Sequence, residues 1–217
     1  GVEGKSVDLG GRRIIKKKKI MASGGMDGKL ILWDTIKNNK KWVYREHNRG
    51  ITSLAFNERL ILLFSDRFDH QICIWNPYIS NVIHKVQAHS SPIYSMKVVG
   101  HQLLSMDMKG TIKVLDVRTF VEVNSFEVES PDDKVKMEPM CLEVIPKPLK
   151  LAISGKTICQ FEYDKNYVPN AVDDNMALCC KAVPSLLSLY TPVGPKIKVW
   201  SLLTGEVDKI FNDLSKG

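Results

Sequence analysis

The stretch GGMDGKLILWD, from Gly24 to Asp34, starts with a polar turn, continues as alternating aliphatic residues and ends in an aromatic residue followed by a polar one. The same plan is repeated four times, in FDHQICIWN (Phe68 to Asn76), MKGTIKVLD (Met108 to Asp116), SGKTICQFE (Ser154 to Glu162) and GPKIKVWS (Gly194 to Ser201). Alternation with a period of two buries one face of a β-strand. Each stretch therefore predicts a tight turn followed by a strand that ends at a large residue.

The spacing of these stretches along the chain is nearly constant. Each ends in a pair whose first member is called here the repeat-end residue; the pairs are Trp33-Asp34, Trp75-Asn76, Leu115-Asp116, Phe161-Glu162 and Trp200-Ser201. The successive steps between repeat-end residues are 42, 40, 46 and 39 residues. A repeat of about 40–45 residues with four short strands indicates a blade of a β-propeller.

The rest of each repeat has the alternation and turn chemistry of further strands, and no helical period competes with it. We therefore expect an all-β chain of about five four-stranded blades, with approximate bounds 1–46, 47–88, 89–130, 131–170 and 171–217. The pattern starts and stops in mid-repeat, so we expect part of a larger propeller. A closed ring of five blades is the alternative.

Polar residues at fixed places in the repeats point to a protein family. The second repeat has His47 before its first strand, Ser65 in its second strand, Asp69 in the turn and then Trp75. This set resembles the hydrogen-bonded constellation of the WD-repeat family, and the likeness covers nearly the whole chain. It implies structural roles for the matching residues elsewhere, which are Ser23, Asp27 and Trp33, His89 and Ser105, and Trp200.

Three repeats depart from the family pattern. Lys109 stands where the third repeat should have its Asp, and Leu115 replaces the Trp. The fourth repeat has Phe161 and no turn Asp, and the fifth has Gly194 in its turn. The departures put the constellation in doubt there and leave the blades intact, because apolar alternation and turn chemistry carry the fold.

A narrower resemblance lies in the second and third repeats, between Ser65 and Phe120. Its features are Phe68-Asp69-His70, Trp75-Asn76-Pro77-Tyr78 and Asp116-Val117-Arg118-Thr119-Phe120. They are similar to those of large WD-repeat proteins associated with cilia and flagella. The resemblance implies a structural scaffold in the cytoskeleton of the axoneme, on or near doublet microtubules, with other axonemal proteins and tubulin as partners.

The sequence does not favour a catalytic function. Ser65, His47 and Asp69 include the residue types of a hydrolase triad, but a triad needs an exposed hydroxyl beside an oxyanion hole. Ser65 lies inside an apolar strand with no G-x-S-x-G turn around it. The set instead predicts a buried polar cluster. We expect no enzyme activity, cofactor or small-molecule substrate.

The chain is basic, with a net charge of +7. Its densest basic cluster comprises Arg12, Arg13, Lys16, Lys17, Lys18 and Lys19. Such a cluster attracts polyanions, among them the acidic surface of a microtubule. Alternatively, it is a solvated edge strand on which lysines discourage wrong pairing. No aromatic residue is interleaved for stacking on bases, so specific nucleic-acid binding is not expected.

The cysteines and the hydropathy pattern restrict the class of protein further. Five cysteines, at positions 73, 141, 159, 179 and 180, show no C-x-x-C spacing and fall in predicted strands. They predict reduced core thiols and no zinc site. No apolar run approaches the ~20 residues that span a membrane.

Two functions from different classes stay open beside the enzyme reading. The first is the axonemal scaffold. The second is a WD-repeat adaptor outside cilia, which would recognise a peptide in a ligase or chromatin complex.

Overall fold

The computed structural model describes residues 20–47, 49–66, 70–128, 138–146, 149–162, 171–173 and 176–212. Nineteen β-strands lie within this part of the chain, together with one short 3-10 helix at Pro184–Leu186. The strand pairings among the described residues are all antiparallel. The expectation of an all-β fold is confirmed.

The strands form five sheets, each built from strands that follow one another in the chain. The first sheet contains β1 (Ile20–Gly24), β2 (Leu30–Asp34) and β3 (Asn39–Tyr44). The second contains β4 (Leu54–Asn57), β5 (Leu62–Asp66), β6 (Gln71–Trp75) and β7 (Val82–Gln87). The third contains β8 (Ile93–Val99), β9 (Gln102–Asp107), β10 (Thr111–Asp116) and β11 (Val121–Glu127).

The last two sheets have the same plan. The fourth contains β12 (Pro139–Pro146), β13 (Leu149–Gly155), β14 (Ile158–Glu162) and β15 (Ala171–Asp173). The fifth contains β16 (Lys181–Val183), β17 (Ser188–Val193), β18 (Lys196–Ser201) and β19 (Val207–Phe211). Four sheets thus have four strands, and the first has three within the described residues.

One expected blade boundary is wrong. The expected division between residues 170 and 171 would assign β15 to the fifth repeat, whereas β15 pairs with β14 of the fourth sheet through Cys159↔Val172 and its neighbours. The reason is the connection between β14, which ends at Glu162, and β15, which begins at Ala171, because it is longer than the connection into the last strand of each other sheet.

In four repeat-end pairs the polar member closes the turn that leads into the last strand. Four such side chains accept a hydrogen bond from the backbone N–H two residues further on; the pairs are Asp34 and Ile36 (2.9 Å), Asn76 and Tyr78 (2.9 Å), Asp116 and Arg118 (2.9 Å), and Ser201 and Leu203 (3.2 Å). Asn, Asp and Ser favour turns because their short side chains can make this bond. The recurrence of an apolar residue followed by a polar one is thus explained by a strand end and a turn.

A β-bulge recurs at the same place. In four sheets the pairing with the last strand shifts by one residue just before the repeat-end residue, at Leu32/Trp33, Ile74/Trp75, Val114/Leu115 and Val199/Trp200. A bulge increases the local twist of a strand pair. The repeats therefore share backbone geometry as well as sequence pattern.

The chain divides into two compact units, Gly1–Gly100 and His101–Gly217. In the first unit, the core between the first and second sheets contains Ile20, Leu30, Leu32, Tyr44, Ile51, Leu63, Cys73 and Trp75. In the second unit, the core between the fourth and fifth sheets contains Ile145, Ala152, Ile158, Ala177, Cys180, Ala182, Leu189, Trp200 and Leu202. Each core is made by one face of one sheet and the facing side of the next.

Polar contacts join neighbouring sheets inside each unit. In the first unit, the Tyr44 hydroxyl donates to the carbonyl of Ile79 at 2.8 Å. In the second unit, the buried Lys150 Nζ donates to the carbonyl of Leu202, also at 2.8 Å. Both acceptors lie in the turn before the last strand of the following sheet, so that turn is fixed by the preceding sheet.

Candidate functional site

Three tryptophans end their strands in a hydrogen bond to a hydroxyl on the neighbouring strand. The indole Nε1 atoms donate to Ser23 Oγ from Trp33 (2.8 Å), to Ser65 Oγ from Trp75 (2.7 Å) and to Thr191 Oγ1 from Trp200 (2.8 Å). A buried indole N–H needs an acceptor. These bonds fix the orientation of the rings at the ends of the strands, and the rings of Trp75 and Trp200 lie in the cores described above.

The second sheet has the most complete cluster. Ser65 Oγ lies 2.7 Å from Trp75 Nε1 and 2.7 Å from His47 Nε2, and it has no exposed surface. The rings of Tyr44 and His47 lie 4.6 Å and 6.0 Å from the Trp75 ring, measured between centroids. Asp69, the fourth expected member, lies outside the described residues. A hydroxyl that is buried and accepts an indole hydrogen is not an exposed nucleophile, so the geometry matches a structural cluster.

Strand pairing explains which residue serves as the acceptor. Trp75 pairs with Leu63, and the acceptor Ser65 lies two residues further along the same strand. Trp200 pairs with Leu189, and Thr191 lies two residues further along in the same way. Residues two apart on a strand lie on one face, which places the hydroxyl next to the indole. Thr191 was not among the residues expected from the sequence.

The third and fourth sheets replace the polar pair with less polar groups. In the third sheet, Leu115 pairs with Leu103, and Ser105 Oγ donates to the carbonyl of Lys113 at 3.4 Å. In the fourth sheet, the residue equivalent to the hydroxyl is Ile153, which is fully buried. Where the Trp is absent, the hydroxyl group therefore has another partner, as in the third sheet, or is replaced by an aliphatic side chain, as in the fourth.

The remaining expected positions lie in different surroundings. Asp27 is exposed and accepts hydrogen bonds from the backbone and side chain of Lys29, which lower its pKa. It therefore closes a surface turn and is not a member of a buried cluster. His89 is buried. The basic cluster from Arg12 to Lys19 lies outside the described residues.

A buried carboxyl group that the sequence did not single out lies between the second sheet and β8, within the first unit. Asp66 accepts hydrogen bonds from the backbone N–H groups of Thr52 (3.0 Å) and Ser53 (2.7 Å). Burial raises its pKa to about 6 despite these bonds. Ser53 Oγ in turn accepts a hydrogen bond from the N–H of Met96 in β8 at 2.9 Å.

The Thr52 hydroxyl shows how the proton of Asp66 matters. Its Oγ1 lies 2.7 Å from Asp66 Oδ2 and 2.7 Å from the carbonyl oxygen of Ile93, and a hydroxyl has only one hydrogen to donate. When Asp66 is protonated, it can donate to Thr52, and Thr52 can then donate to Ile93. The protonated form therefore satisfies the whole chain of groups between the second sheet and β8.

The last strands of four sheets carry exposed apolar side chains, and others lie in turns and on other strands. On the last strands they are Trp42 and Val43 in β3, Ile83 in β7, Val121 and Val123 in β11, and Val207, Ile210 and Phe211 in β19. Single exposed apolar residues are common. Here they alternate with charged residues, as in Lys209, whose Nζ lies 4.6 Å from the Phe211 ring centre. Apolar contact area within a polar rim suits protein partners.

The described residues give no sign of a metal centre or a membrane span. No group of three or more His, Cys, Asp or Glu side chains in that part of the chain could hold a metal ion. No helix there is long and apolar enough to cross a membrane.

All five cysteines are free. Cys73 and Cys159 are buried in strands as expected, but Cys179 is exposed and, with Cys180, precedes β16, so their expected place in a strand is wrong. The chain has no regular alternation before Lys181 that could hold them in a strand.

Comparison with known proteins agrees with this architecture. The family model described as "WD domain, G-beta repeat" matches residues 38–76. A solved chain in the crystal structure of the Mitotic Checkpoint Complex has a TM-score of 0.76 at 16% identity, over 94% of this chain and 64% of that one. At this identity the likeness shows the fold alone.

Two curated proteins show different degrees of likeness. The "Cilia- and flagella-associated protein 337 B" of Tetrahymena thermophila is 55% identical over 203 residues, which are 93% of this chain and 16% of the relative. The "Peroxisomal targeting signal 2 receptor" of Mus musculus is 33% identical over 72 residues, which are 32% of this chain and 23% of that relative. The chain thus spans less than a quarter of the length of either protein. It belongs to the WD-repeat β-propeller family and resembles its cilia- and flagella-associated members.

Proposed function

We propose that the chain is part of a non-catalytic scaffold of the ciliary or flagellar axoneme, which holds other proteins on or near doublet microtubules. The observation that carries this proposal is the 55% identity, over 93% of the chain, to a protein named as cilia- and flagella-associated. The proposed location is the cytoskeleton of the cilium, and the proposed partners are axonemal proteins and tubulin.

The architecture supports binding better than catalysis. The buried polar groups of Ser65 and Asp66 are hydrogen-bonded to neighbouring backbone and side chains, and they hold neighbouring strands together. Catalysis requires several reactive groups that converge on a cleft, and these two clusters do not provide such an arrangement. The chemically varied surface lies instead on the last strands of the sheets. A rigid scaffold with side chains displayed at its rim is suited to hold partners.

Localisation of the full-length protein tests the proposal. The protein would be tagged at its own locus in a ciliated cell, and axonemes would be isolated after the membrane has been removed with detergent. We expect the tag to stay with the axonemes in that fraction. A diffuse cytosolic or nuclear signal would contradict the axonemal role and favour the adaptor outside cilia.

Cross-linking of the isolated axonemes identifies which surface makes the contact. We expect cross-links from lysines close to the last strands, such as Lys40, Lys85 and Lys209, to axonemal proteins. Two variants of β11 test whether its exposed apolar residues make the contact. Val121→Lys with Val123→Lys removes exposed apolar side chains, whereas the control Ser125→Lys changes an exposed polar residue of the same strand. Loss of retention in the first variant alone would assign β11 to a partner contact.

A further inference from the structure

Two thiols from distant parts of the chain meet where the fourth sheet packs on the fifth. Cys141 lies in β12, and Cys180 directly precedes β16. Cys180 belongs to the core that the two sheets share, and Cys141 packs against that core. The fold of the second unit thus brings together two cysteines that are 39 residues apart in sequence.

The contacts of these cysteines hold the two segments side by side. Cys141 Sγ lies 3.9 Å from the carbonyl oxygen of Cys180, and Cys180 Sγ lies 3.8 Å from the carbonyl oxygen of Ala152 in β13. Next to them, Lys181 Nζ lies 3.0 Å from Glu143 Oε1. Glu143 is two residues from Cys141 and therefore on the same face of β12. The ion pair and the thiol contacts thus fix the same two segments against each other.

The two thiols differ in their access to solvent and in their hold on a proton. Cys180 is only 5% exposed, whereas Cys141 is half-buried. A hydrogen bond with the Cys141 thiol, together with burial, raises the pKa of Cys180 well above its usual value. A dissolved oxidant therefore reaches Cys141 first, while Cys180 stays protonated beside it.

We infer that Cys141 and Cys180 are an oxidisable pair of thiols, which hydrogen peroxide converts into a disulfide between the fourth and fifth sheets. In the first step, the Cys141 thiolate attacks one peroxide oxygen and the O–O bond breaks. Cys141 becomes a sulfenic acid, its sulfur gives two electrons to the peroxide, and the leaving hydroxide takes up the proton that Cys141 released, forming water.

The second step closes the bond between the sheets. The Cys180 sulfur attacks the Cys141 sulfur, the S–O bond breaks, and the oxygen leaves as water with the proton of Cys180. One peroxide molecule and two thiols thus give one disulfide and two waters. A thiol reductant reverses the reaction by exchange. Disulfides in a reducing compartment are usually of this transient, redox-sensing kind.

The other cysteines are placed less favourably for this reaction. Cys73 and Cys159 have no exposed surface, so a dissolved peroxide does not reach them in the folded protein. Cys179 is exposed and adjacent to Cys180. Adjacent residues have Cα atoms about 3.8 Å apart, which is below the ~4.4 Å of an ordinary disulfide. Cys179 is therefore a competitor for Cys141 and not a partner for Cys180.

Peptide mapping of the full-length protein tests this inference. The reduced protein would be treated with hydrogen peroxide, its remaining thiols would be blocked with N-ethylmaleimide in denaturant, and it would be digested without reductant for mass spectrometry. We expect the peptide of Cys141 to be joined to that of Cys180 with the loss of two hydrogen atoms, and dithiothreitol to separate them. The peptide of Cys159 should carry the maleimide. Cys141 that also carries the maleimide, or that reaches the sulfinic acid without a link, would overturn the inference.

A matched pair of variants identifies the partner of Cys141. Cys179→Ser should leave the link in place, whereas Cys180→Ser should abolish it and leave a Cys141 sulfenic acid that dimedone traps. A link that is lost in Cys179→Ser and kept in Cys180→Ser would overturn the inference. If Cys180→Ser does not fold, fragment ions from the linked peptides of the parent protein decide between Cys179 and Cys180 without any variant.

Dilution separates a bond within one chain from a bond between copies. The extent of the link between Cys141 and Cys180 should not change with protein concentration, and the oxidised protein should run as a monomer on a denaturing gel without reductant. A link that appears only in a covalent dimer would contradict the inference. The result does not depend on where in the cell the protein resides.

Discussion

The indole ring of Trp75 contributes both apolar area and a hydrogen bond to the second sheet. It is fully buried, its Nε1 donates to Ser65 Oγ at 2.7 Å, and the Tyr44 ring packs 4.6 Å from it. Replacement of a buried Trp by Ala leaves a cavity and costs about 3–5 kcal/mol. We therefore expect Trp75→Ala to lower the free energy of unfolding by that amount, measured by urea denaturation.

The control for this change is Trp42→Ala, because Trp42 is 36% exposed on the last strand of the first sheet. Its loss should cost less than that of Trp75, because part of the Trp42 side chain stays in solvent and less apolar area is lost. Equal losses for Trp75→Ala and Trp42→Ala would contradict the burial of Trp75.

The carboxyl group of Asp66 should make stability depend on pH in a particular direction. Its pKa is about 6 in the folded protein and 3.8 in the ordinary, solvated state. The folded state therefore binds the proton more tightly, and stability falls as pH rises between these values. The full difference corresponds to about 3 kcal/mol. We expect the free energy of unfolding of Asp66→Asn, relative to the parent protein, to rise by that amount between pH 3.5 and pH 7.

Asp116 offers the opposite case for comparison. Hydrogen bonds from Arg118 lower its pKa to about 2, so its contribution is present above pH 4 and is lost as the pH falls towards 2. Asp116→Asn should therefore leave the pH dependence between pH 4 and pH 7 unchanged. An equal change in both variants would show that the dependence does not come from Asp66.

The hairpin formed by β17 and β18 shows how one sheet keeps the tryptophan–hydroxyl pair after a change of turn. Thr191 Oγ1 accepts the Trp200 hydrogen bond at 2.8 Å, and both side chains are buried. Thr191→Val keeps the shape but leaves the indole N–H without its acceptor, which costs about 1–3 kcal/mol. We expect Thr191→Val to lower the free energy of unfolding by this amount.

Thr191→Ser is the matched control, because it retains the hydroxyl group and loses one methyl group. It should recover most of the loss, which unfolding followed by tryptophan fluorescence would detect. A Ser variant that is as unstable as the Val variant would assign the effect to packing and not to the hydrogen bond.

Thr191 also shows the limit of reading these sheets from the sequence. Ten residues separate Ser23 from Trp33 and Ser65 from Trp75, but only nine separate Thr191 from Trp200. The fifth hairpin has a two-residue turn between Val193 and Lys196. The residue paired with Trp200 is therefore one position closer along the chain than the residue paired with Trp75. Chain separation includes the turn length, whereas the hydrogen bond depends on strand pairing, so the residue was missed.

The positions of single strands could be predicted from the sequence more readily than contacts between a strand and a loop. Alternation placed the strands that end at Trp33, Trp75 and Trp200, because the period of two is local. The role of Asp66 depends on Thr52 and Ser53, which approach it only after the sheet has folded. No spacing in the sequence reports such an approach.

The charge of the protein makes its attachment to the axoneme testable by salt. Six of its 31 basic residues lie in the cluster formed by Arg12, Arg13 and Lys16 to Lys19. Their neutralisation to Gln would leave 25 basic against 24 acidic residues. If the cluster contacts an acidic surface such as tubulin, the parent protein should be released as salt screens the contact, with a Debye length of about 10 Å at 0.1 M. The neutralised variant should be released at lower salt.

A variant of equal net charge separates the cluster from the total charge. It neutralises six exposed basic residues spread over the sheets, namely Lys37, Arg45, Arg49, Lys109, Lys156 and Lys196. Attraction at short range depends on local charge density, so this variant should be extracted nearly as the parent protein is. If both variants are released at the same lower salt concentration, net charge is the cause. If both variants are released at the same salt concentration as the parent protein, the cluster is the solvated edge that discourages strand pairing. Attachment then depends on the exposed apolar residues of the last strands.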